Sequence, residues 1–324
     1  MTDASESRRE RAARRAGEFP PAPEPLPVPV IDSHTHLDIT VTEAGEPPAG
    51  PSGAPTDSVA DPVADSVAGA PTDSVAGPVA ALIAAAARAG VDRLVQVGVD
   101  VDSSRWGAEL AARHPAVVAT VALHPNEAPR LADLDGALRE IEALAGQDRV
   151  RGIGETGMDF FRTGEPGRAA QETSFRAHIA IAKRYGKPLI IHDRDAHADV
   201  LRILDDEGAP ETVVMHCFSG DAQFAAECVR RGYLLSFAGT VTFASAGPLR
   251  AAAAVTPADQ LLVETDAPYL TPVPYRGRPN ASYLIPLTVR SLAETTGTDV
   301  AALSAAISAT GDRVFGPWAG GRRA

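Results

Sequence analysis

Residues 189–216 read Leu189-Ile-Ile-His192-Asp-Arg-Asp-Ala-His-Ala-Asp-Val-Leu-Arg-Ile-Leu-Asp-Asp-Glu-Gly-Ala-Pro-Glu-Thr-Val-Val-Met-His216. Leu189–His192 is a short β-branched run, 196–207 carries apolar residues at helical period, and Thr212–His216 returns to the strand pattern. Strand, helix and strand in this order imply a parallel βαβ unit. Both strands end on a histidine.

The same alternation continues outward in both directions. The other candidate strands are Val28–Ile31, Arg93–Val99, Val117–Leu123, Val150–Glu155, Tyr233–Phe237 and Leu261–Glu264. Helical periodicity falls near 79–89, 103–113, 132–145, 168–185, 221–231 and 247–254, and again near 285–295 and 299–308. Eight strands with intervening helices predict an α/β protein of one domain, a (β/α)8 TIM barrel over residues 28–316.

Three segments stand outside this pattern. Residues 1–27 are rich in arginine and proline and read as a disordered arm, with Arg8, Arg9, Arg11, Arg14 and Arg15 interleaved with Glu6 and Glu10. Residues 47–78 form a low-complexity acidic insertion, in which Pro55-Thr-Asp-Ser-Val-Ala60 recurs as Pro71-Thr-Asp-Ser-Val-Ala76. An expanded surface loop accounts for it, because loop closure entropy grows slowly with length. Residues 317–324 read as a tail.

The chain has 324 residues, is 44% hydrophobic and carries a net charge of −12. Residues 41–80, the insertion and its flanks, hold six acids and no base, so half of that excess is local to this stretch. Two cysteines, Cys217 and Cys228, exclude a disulfide-framework module and point to a reducing compartment. No apolar run approaches the ~20 residues that span a bilayer, and the polar, Arg-rich start lacks the apolar core of a secretion signal. The expectation is a cytoplasmic protein without membrane contact or a stable protein partner.

Metal-competent side chains recur at the C-terminal ends of the strands, which all open onto one face of a barrel. The first strand runs into Asp32-Ser-His34-Thr-His36, the fourth into Glu155, the fifth into His192, the sixth into His216 and the eighth into Glu264-Thr-Asp266. Residues i and i+2 share a face, so His34 and His36 point together. Any one of these has a bland reading as a hydrogen-bonded strand end. Five together do not. Cys217, next to His216, alternates away from the ligand face and reads as a packed thiol. Gly152-Ile-Gly154-Glu-Thr-Gly157 matches G-x-G-x-x-G literally, but no helix follows at once and Glu155 would oppose a pyrophosphate.

The ordered motifs Ile31-Asp-Ser-His-Thr-His-Leu-Asp38, Gly152-Ile-Gly-Glu-Thr-Gly-Met-Asp159, Ile191-His-Asp-Arg-Asp195, His216-Cys-Phe-Ser-Gly220 and Leu262-Val-Glu-Thr-Asp-Ala-Pro-Tyr-Leu270 resemble those of the TatD family of metal-dependent deoxyribonucleases. The family belongs to the amidohydrolase-like barrel superfamily. The resemblance implies that His34, His36 and Asp266 hold one divalent ion, and that Glu155 bridges to a second completed by His192 and His216. Four imidazoles and two carboxylates suffice for two ions, magnesium, manganese or zinc. It implies hydrolysis of phosphodiester bonds in DNA, trimming single-stranded ends, with Asp266 taking the proton of the attacking water. Arg194, Arg276 and Arg278 are candidate substrate-binding residues. The same scaffold also admits hydrolysis of a small ester, lactone or amide, including deacylation of aminoacyl-tRNA. A metal-binding scaffold without catalysis is disfavoured, since all six ligands are intact.

Overall fold

The computed structural model describes residues 17–43 and 73–318; the expected arm up to residue 16, the insertion from 47 to 72 and the tail from 319 onward lie outside the described residues. Eight parallel strands follow one another around a single sheet in chain order. They are β1 (Val30–Thr35), β2 (Val91–Val97), β3 (Val117–Val121), β4 (Val150–Asp159), β5 (Leu189–Arg194), β6 (Val213–Met215), β7 (Leu234–Phe237) and β8 (Leu261–Val263). The expected (β/α)8 barrel is the observed one. Every residue of β1, β3, β6, β7 and β8 is buried. A strand covered on both faces needs no polar alternation, which is why β6 and β8 read as continuous apolar runs; β1 instead buries the polar Asp32, Ser33, His34 and Thr35 at its mouth end.

The helices are α1 (Leu37–Glu43), α2 (Asp73–Arg88), α3 (Val101–Arg113), α4 (Leu134–Ala145), α5 (Glu165–Tyr185), α6 (His197–Glu207), α7 (Ala222–Arg230), α8 (Gly247–Val255), α9 (Ile285–Thr296) and α10 (Val300–Phe315). Asp100, Asp221 and Asp299 each accept backbone N–H groups at the start of α3, α7 and α10, satisfying donors that a helix leaves open. Among the described residues no helix is long and apolar enough to cross a membrane.

The sheet closes on itself through a narrow seam. A single bridge pairs Thr35 with Ala267. Around it, Asp266 donates its N–H to the His34 carbonyl at 2.9 Å, and His36 donates to that of Ala267 at 3.0 Å. Below, the Asp32 carboxylate accepts the Thr265 N–H at 2.9 Å and its hydroxyl at 2.6 Å. Gly311 of α10 lies so close to Ile31 that an added Cβ would collide with it. That close approach lets α10 cross the seam and run to Phe315, past the expected end at 308.

Three expected boundaries are corrected. Residues 17–27 are not free: Phe19 and Leu26 are buried, Leu26 donates its N–H to the Ala89 carbonyl at 3.1 Å, and Tyr283 donates its hydroxyl to the Pro20 carbonyl at 2.6 Å. Proline fixes an extended backbone whose carbonyls are open to such donors. Helix α2 begins at Asp73, so the expected insertion end at 78 falls inside an Ala/Val-rich helix that takes in Asp73–Ala76 of the last repeat copy. At the other end Trp318 packs on the core, and its carbonyl accepts from Arg149 at 2.5 Å.

Candidate metal centre

The site is built outward from Glu155, which lies within β4 and is 4% exposed. Its Oε1 stands 2.6 Å from His192 Nδ1, 2.9 Å from His216 Nε2 and 3.3 Å from His124 Nε2. Its Oε2 is 3.4 Å from His34 Nε2. One carboxylate therefore meets imidazoles from the ends of β1, β3, β5 and β6. Local backbone makes this possible: at Gly157 (φ 139°), two residues on, a Cβ would strike the His192 carbonyl. The glycines of 152–157 thus bring β4 against β5.

Asp266 forms the second pole. Its Oδ1 is 3.4 Å from His36 Nε2 and 3.8 Å from His34 Nε2. Its backbone φ is 53°, in the left-handed region that Asp and Asn tolerate better than most residues. The turn it makes points the carboxylate back over β1.

Neighbouring groups fix the imidazoles. His36 donates Nδ1–H to the Val97 carbonyl at 3.1 Å; a carbonyl only accepts, so Nε2 presents its lone pair to the site. His216 Nδ1 faces Glu264 Oε1 at 3.0 Å, an oxygen that also accepts the Cys217 N–H at 2.9 Å. Pairs of this kind orient metal-ligating histidines. His192 Nε2 lies 3.4 Å from Asp159 Oδ2. Asp159 is held by the Asn126 amide at 2.9 Å and by the N–H groups of Phe161 and Arg162 at 2.9 and 2.8 Å.

His34 is different. It is completely buried, and neither ring nitrogen has a hydrogen-bond partner. Buried polar atoms are nearly always paired, so an open lone pair 3.4 Å from a carboxylate fits a cation between them. Three groups have donor atoms within 4.8 Å of one another: His34, His36 and Asp266; His34, Glu155 and His216; and His124, Glu155 and His192. The imidazole and carboxylate donors suit zinc or manganese. The residues present fit a metal.

The electrostatics agree. Burial lowers the basicity of His36 and His192, yet hydrogen bonds to Asp266 and Asp159 and the charges nearby outweigh it and raise each to about 9. His216 is likewise raised, against its burial, by Glu264 and Glu155. Glu155 is buried, which raises a carboxyl, but His216 and His124 hold it well below its usual range. Asp266 is lowered in the same way by His36 and His34. The carboxylates draw positive charge to this point, and a cation bound to these nitrogens displaces their protons.

All six expected ligands, His34, His36, Glu155, His192, His216 and Asp266, converge at the C-terminal end of the barrel; all but the fully buried His34 line a cleft of about 930 Å³. His192 and His216 share Glu155 Oε1 but fall in different donor groups. His124 was not expected, although it directly follows the third strand and the strand-end criterion would have found it. Cys217 is corrected: β6 ends at Met215, strand alternation stops there, and at φ 43° Cys217 turns onto the cleft wall. Burial and the charges of Glu264 and Asp266 raise its thiol well above the usual range. Of the three expected arginines, Arg194 lines the cleft, together with Arg130 and Arg162. Arg276 and Arg278 do not. The loop after β8 folds back on itself, the Thr271 hydroxyl donating to the Arg278 carbonyl at 2.5 Å. Arg276 therefore stacks on Phe243, and Arg278 donates to the carbonyls of Glu18 and Phe19 at 2.9 and 2.5 Å.

A shared, buried carboxylate ringed by imidazoles at the mouth of a parallel barrel defines the class of metal-dependent hydrolases. The family model described as TatD related DNase matches residues 31–316, and the chain belongs to the TatD family of metal-dependent hydrolases. It is 50% identical over 213 residues, 64% of its length and 80% of the relative's, to the uncharacterized metal-dependent hydrolase TatD of Mycobacterium tuberculosis. It is 36% identical over 237 residues, 71% of its length and 89% of the relative's, to the 3'-5' ssDNA/RNA exonuclease TatD of Cronobacter sakazakii. The crystal structure of YJJV, a TatD homolog from Escherichia coli k12, superposes with a TM-score of 0.73 at 25% identity, covering 88% of this chain and 97% of that one.

Proposed function

We propose that this protein hydrolyses phosphodiester bonds of nucleic acid, trimming single-stranded DNA ends, with two divalent cations at the barrel mouth. The observation that carries the reading is the pair of open nitrogens on fully buried His34 beside a carboxylate that three further imidazoles approach. His34, His36 and Asp266 would hold one cation, and Glu155, shared with His124, His192 and His216, the other. When bound, such ions lower the pKa of a coordinated water and stabilise charge on the attacking and leaving oxygens.

The chain supplies the rest. Asp266 is the carboxylate at the open edge of the cluster, its side chain 18% exposed against 6% for Glu155, and it accepts the proton of the attacking water. Glu264 and the Val97 carbonyl keep His216 and His36 in the tautomers that face the site. Arg130, Arg162 and Arg194 line the cleft where phosphate would lie. The name of the Cronobacter relative supports nucleic acid as the substrate, and nothing in the described residues interferes with a cytoplasmic setting.

The test is digestion of end-labelled single-stranded DNA with each metal restored, beside metal content by mass spectrometry. Wild type should digest DNA only when loaded. Glu155→Gln should empty or scramble at least one metal position and lose activity while staying folded. Full activity with the normal metal complement in that variant would overturn the site. Hydrolysis of lactones or aminoacyl-tRNA in place of DNA would overturn the substrate.

A further inference from the structure

Phe161 is, among the described residues, the most exposed large hydrophobic side chain, at 64%. A lone exposed apolar residue is ordinary. This one is built in. It follows β4 by two residues, and its N–H is pinned to Asp159 Oδ1, the carboxylate beside His192. The Phe160 N–H donates to the Arg194 carbonyl at 2.9 Å, fixing the same loop to the end of β5. The Arg194 guanidinium then lies over the Phe161 ring, 3.9 Å from its centroid.

Arginine covers one ring face and leaves the other to solvent. A guanidinium stacked flat on a ring keeps its N–H edge free for oxygen acceptors, which lysine does not offer. Among the described residues no carboxylate lies within salt-bridge distance of Arg194 or of its neighbour Arg162, whereas Arg130 is paired with Glu127 at 2.8 Å. An unpaired planar cation and an open aromatic face, side by side at the rim of the metal cleft, match the two parts of a nucleotide. The ring takes a base and the cation takes its phosphate.

We propose that Phe161, backed by Arg194, is a stacking platform for an unpaired nucleobase flanking the phosphodiester to be cut. The assignment rests on the nucleic-acid reading above and sharpens it. Within a duplex both faces of a base are covered by its neighbours, so such a platform accepts single strands or frayed ends. Stacking tolerates any base, so the platform selects strandedness and carries little sequence preference. Phe161 here is a binding and positioning residue that takes no part in the bond cleavage.

The test compares metal-loaded wild type, Phe161→Ala and Phe161→Trp on two end-labelled oligonucleotides, one of thymidylates and one with an abasic sugar beside the scissile phosphate. Loss of one base–aromatic stack is expected to cost about tenfold in kcat/KM. Wild type should therefore prefer the base-bearing strand by about that factor. In Phe161→Ala the preference should fall to near one, and in Phe161→Trp it should return, all three proteins keeping the same metal content and Tm. A preference unchanged in Phe161→Ala, on an active enzyme, overturns the platform alone. A wild-type enzyme that cuts neither oligonucleotide with any metal overturns the nucleic-acid reading, and the platform with it.

Discussion

His34, at the mouth of the barrel, and His178, in the layer between the barrel and α5, are both completely buried. Burial lowers the basicity of both. They differ in what surrounds their nitrogens. His178 has Nδ1 2.7 Å from the Ser174 carbonyl, and its Nε2 accepts the Leu123 N–H at 3.0 Å. Neither ring nitrogen of His34 has a hydrogen bond, and two carboxylates lie within 4 Å of Nε2. The first region spends its polar atoms on cohesion. The second holds its lone pairs in reserve for a ligand, and sequence spacing alone does not tell the two kinds of histidine apart.

The largest effect expected from this contrast lies at the mouth. Asp266→Asn keeps the left-handed turn and one oxygen ligand but loses the proton acceptor. Turnover should fall on the order of 10²–10⁴-fold, with much of the metal retained and Tm nearly unchanged, as read by DNA digestion, mass spectrometry and calorimetry. Near-normal turnover would place the proton acceptor elsewhere.

A smaller effect belongs to the paired histidine. Burial pushes His178 down to about 4 from an ordinary 6.5. Between those pH values the unfolded chain binds a proton that the folded chain refuses, so stability rises with pH across the window and is lost on acidification. The loss amounts to about 3 kcal/mol by pH 4. His178→Gln can keep the acceptor for Leu123 but does not titrate, so urea unfolding of metal-free protein at pH 7 and 4.5 should show a flatter acid dependence in the variant. Identical acid dependence in both proteins would remove His178 from the account.

The smallest effect concerns Arg278, the residue that joins the loop after β8 to residues 18 and 19. Arg278→Ala should cost about 1 kcal/mol and quicken proteolysis within 17–27, leaving the salt dependence of DNA binding unchanged. A reduced salt slope would return Arg278 to the substrate-binding set.

The barrel was legible because parallel strands covered on both faces leave β-branched runs that stand out from Ala/Leu/Arg-rich helices. All eight strands were anticipated, with ends shifted by a few residues. The candidate metal ligands were legible because barrel topology gathers strand ends, so a histidine or carboxylate at each end is informative without knowing the register. The strand-end rule also covered His124, but a single histidine after Leu123 matched none of the quoted motifs. Arg276 and Arg278 failed for another reason. The eighteen-residue loop 264–281 folds back on itself, and nothing local in Tyr275-Arg-Gly-Arg-Pro279 reveals that one guanidinium meets a ring and the other the carbonyls of residues 18 and 19. Residues 17–27 differ from the expected disorder because the carbonyls of Pro20 and Pro25 serve Tyr283 and Arg290.

The seam between β1 and β8 gives the metal centre a mechanical meaning. Seven strand pairings are ladders of two or more paired residues, three of them with a register shift, whereas the eighth is one bridge and a few flanking hydrogen bonds. His34 and His36 stand on one side of that joint and Asp266 on the other. A cation held by the three would be a cross-link that rivets the first strand to the segment after the last, closing most of the chain into a loop. Amide hydrogen exchange along Val30–Thr35 and Leu261–Val263 is then a gauge of loading, slow when the rivet is in place and faster when a chelator draws it out.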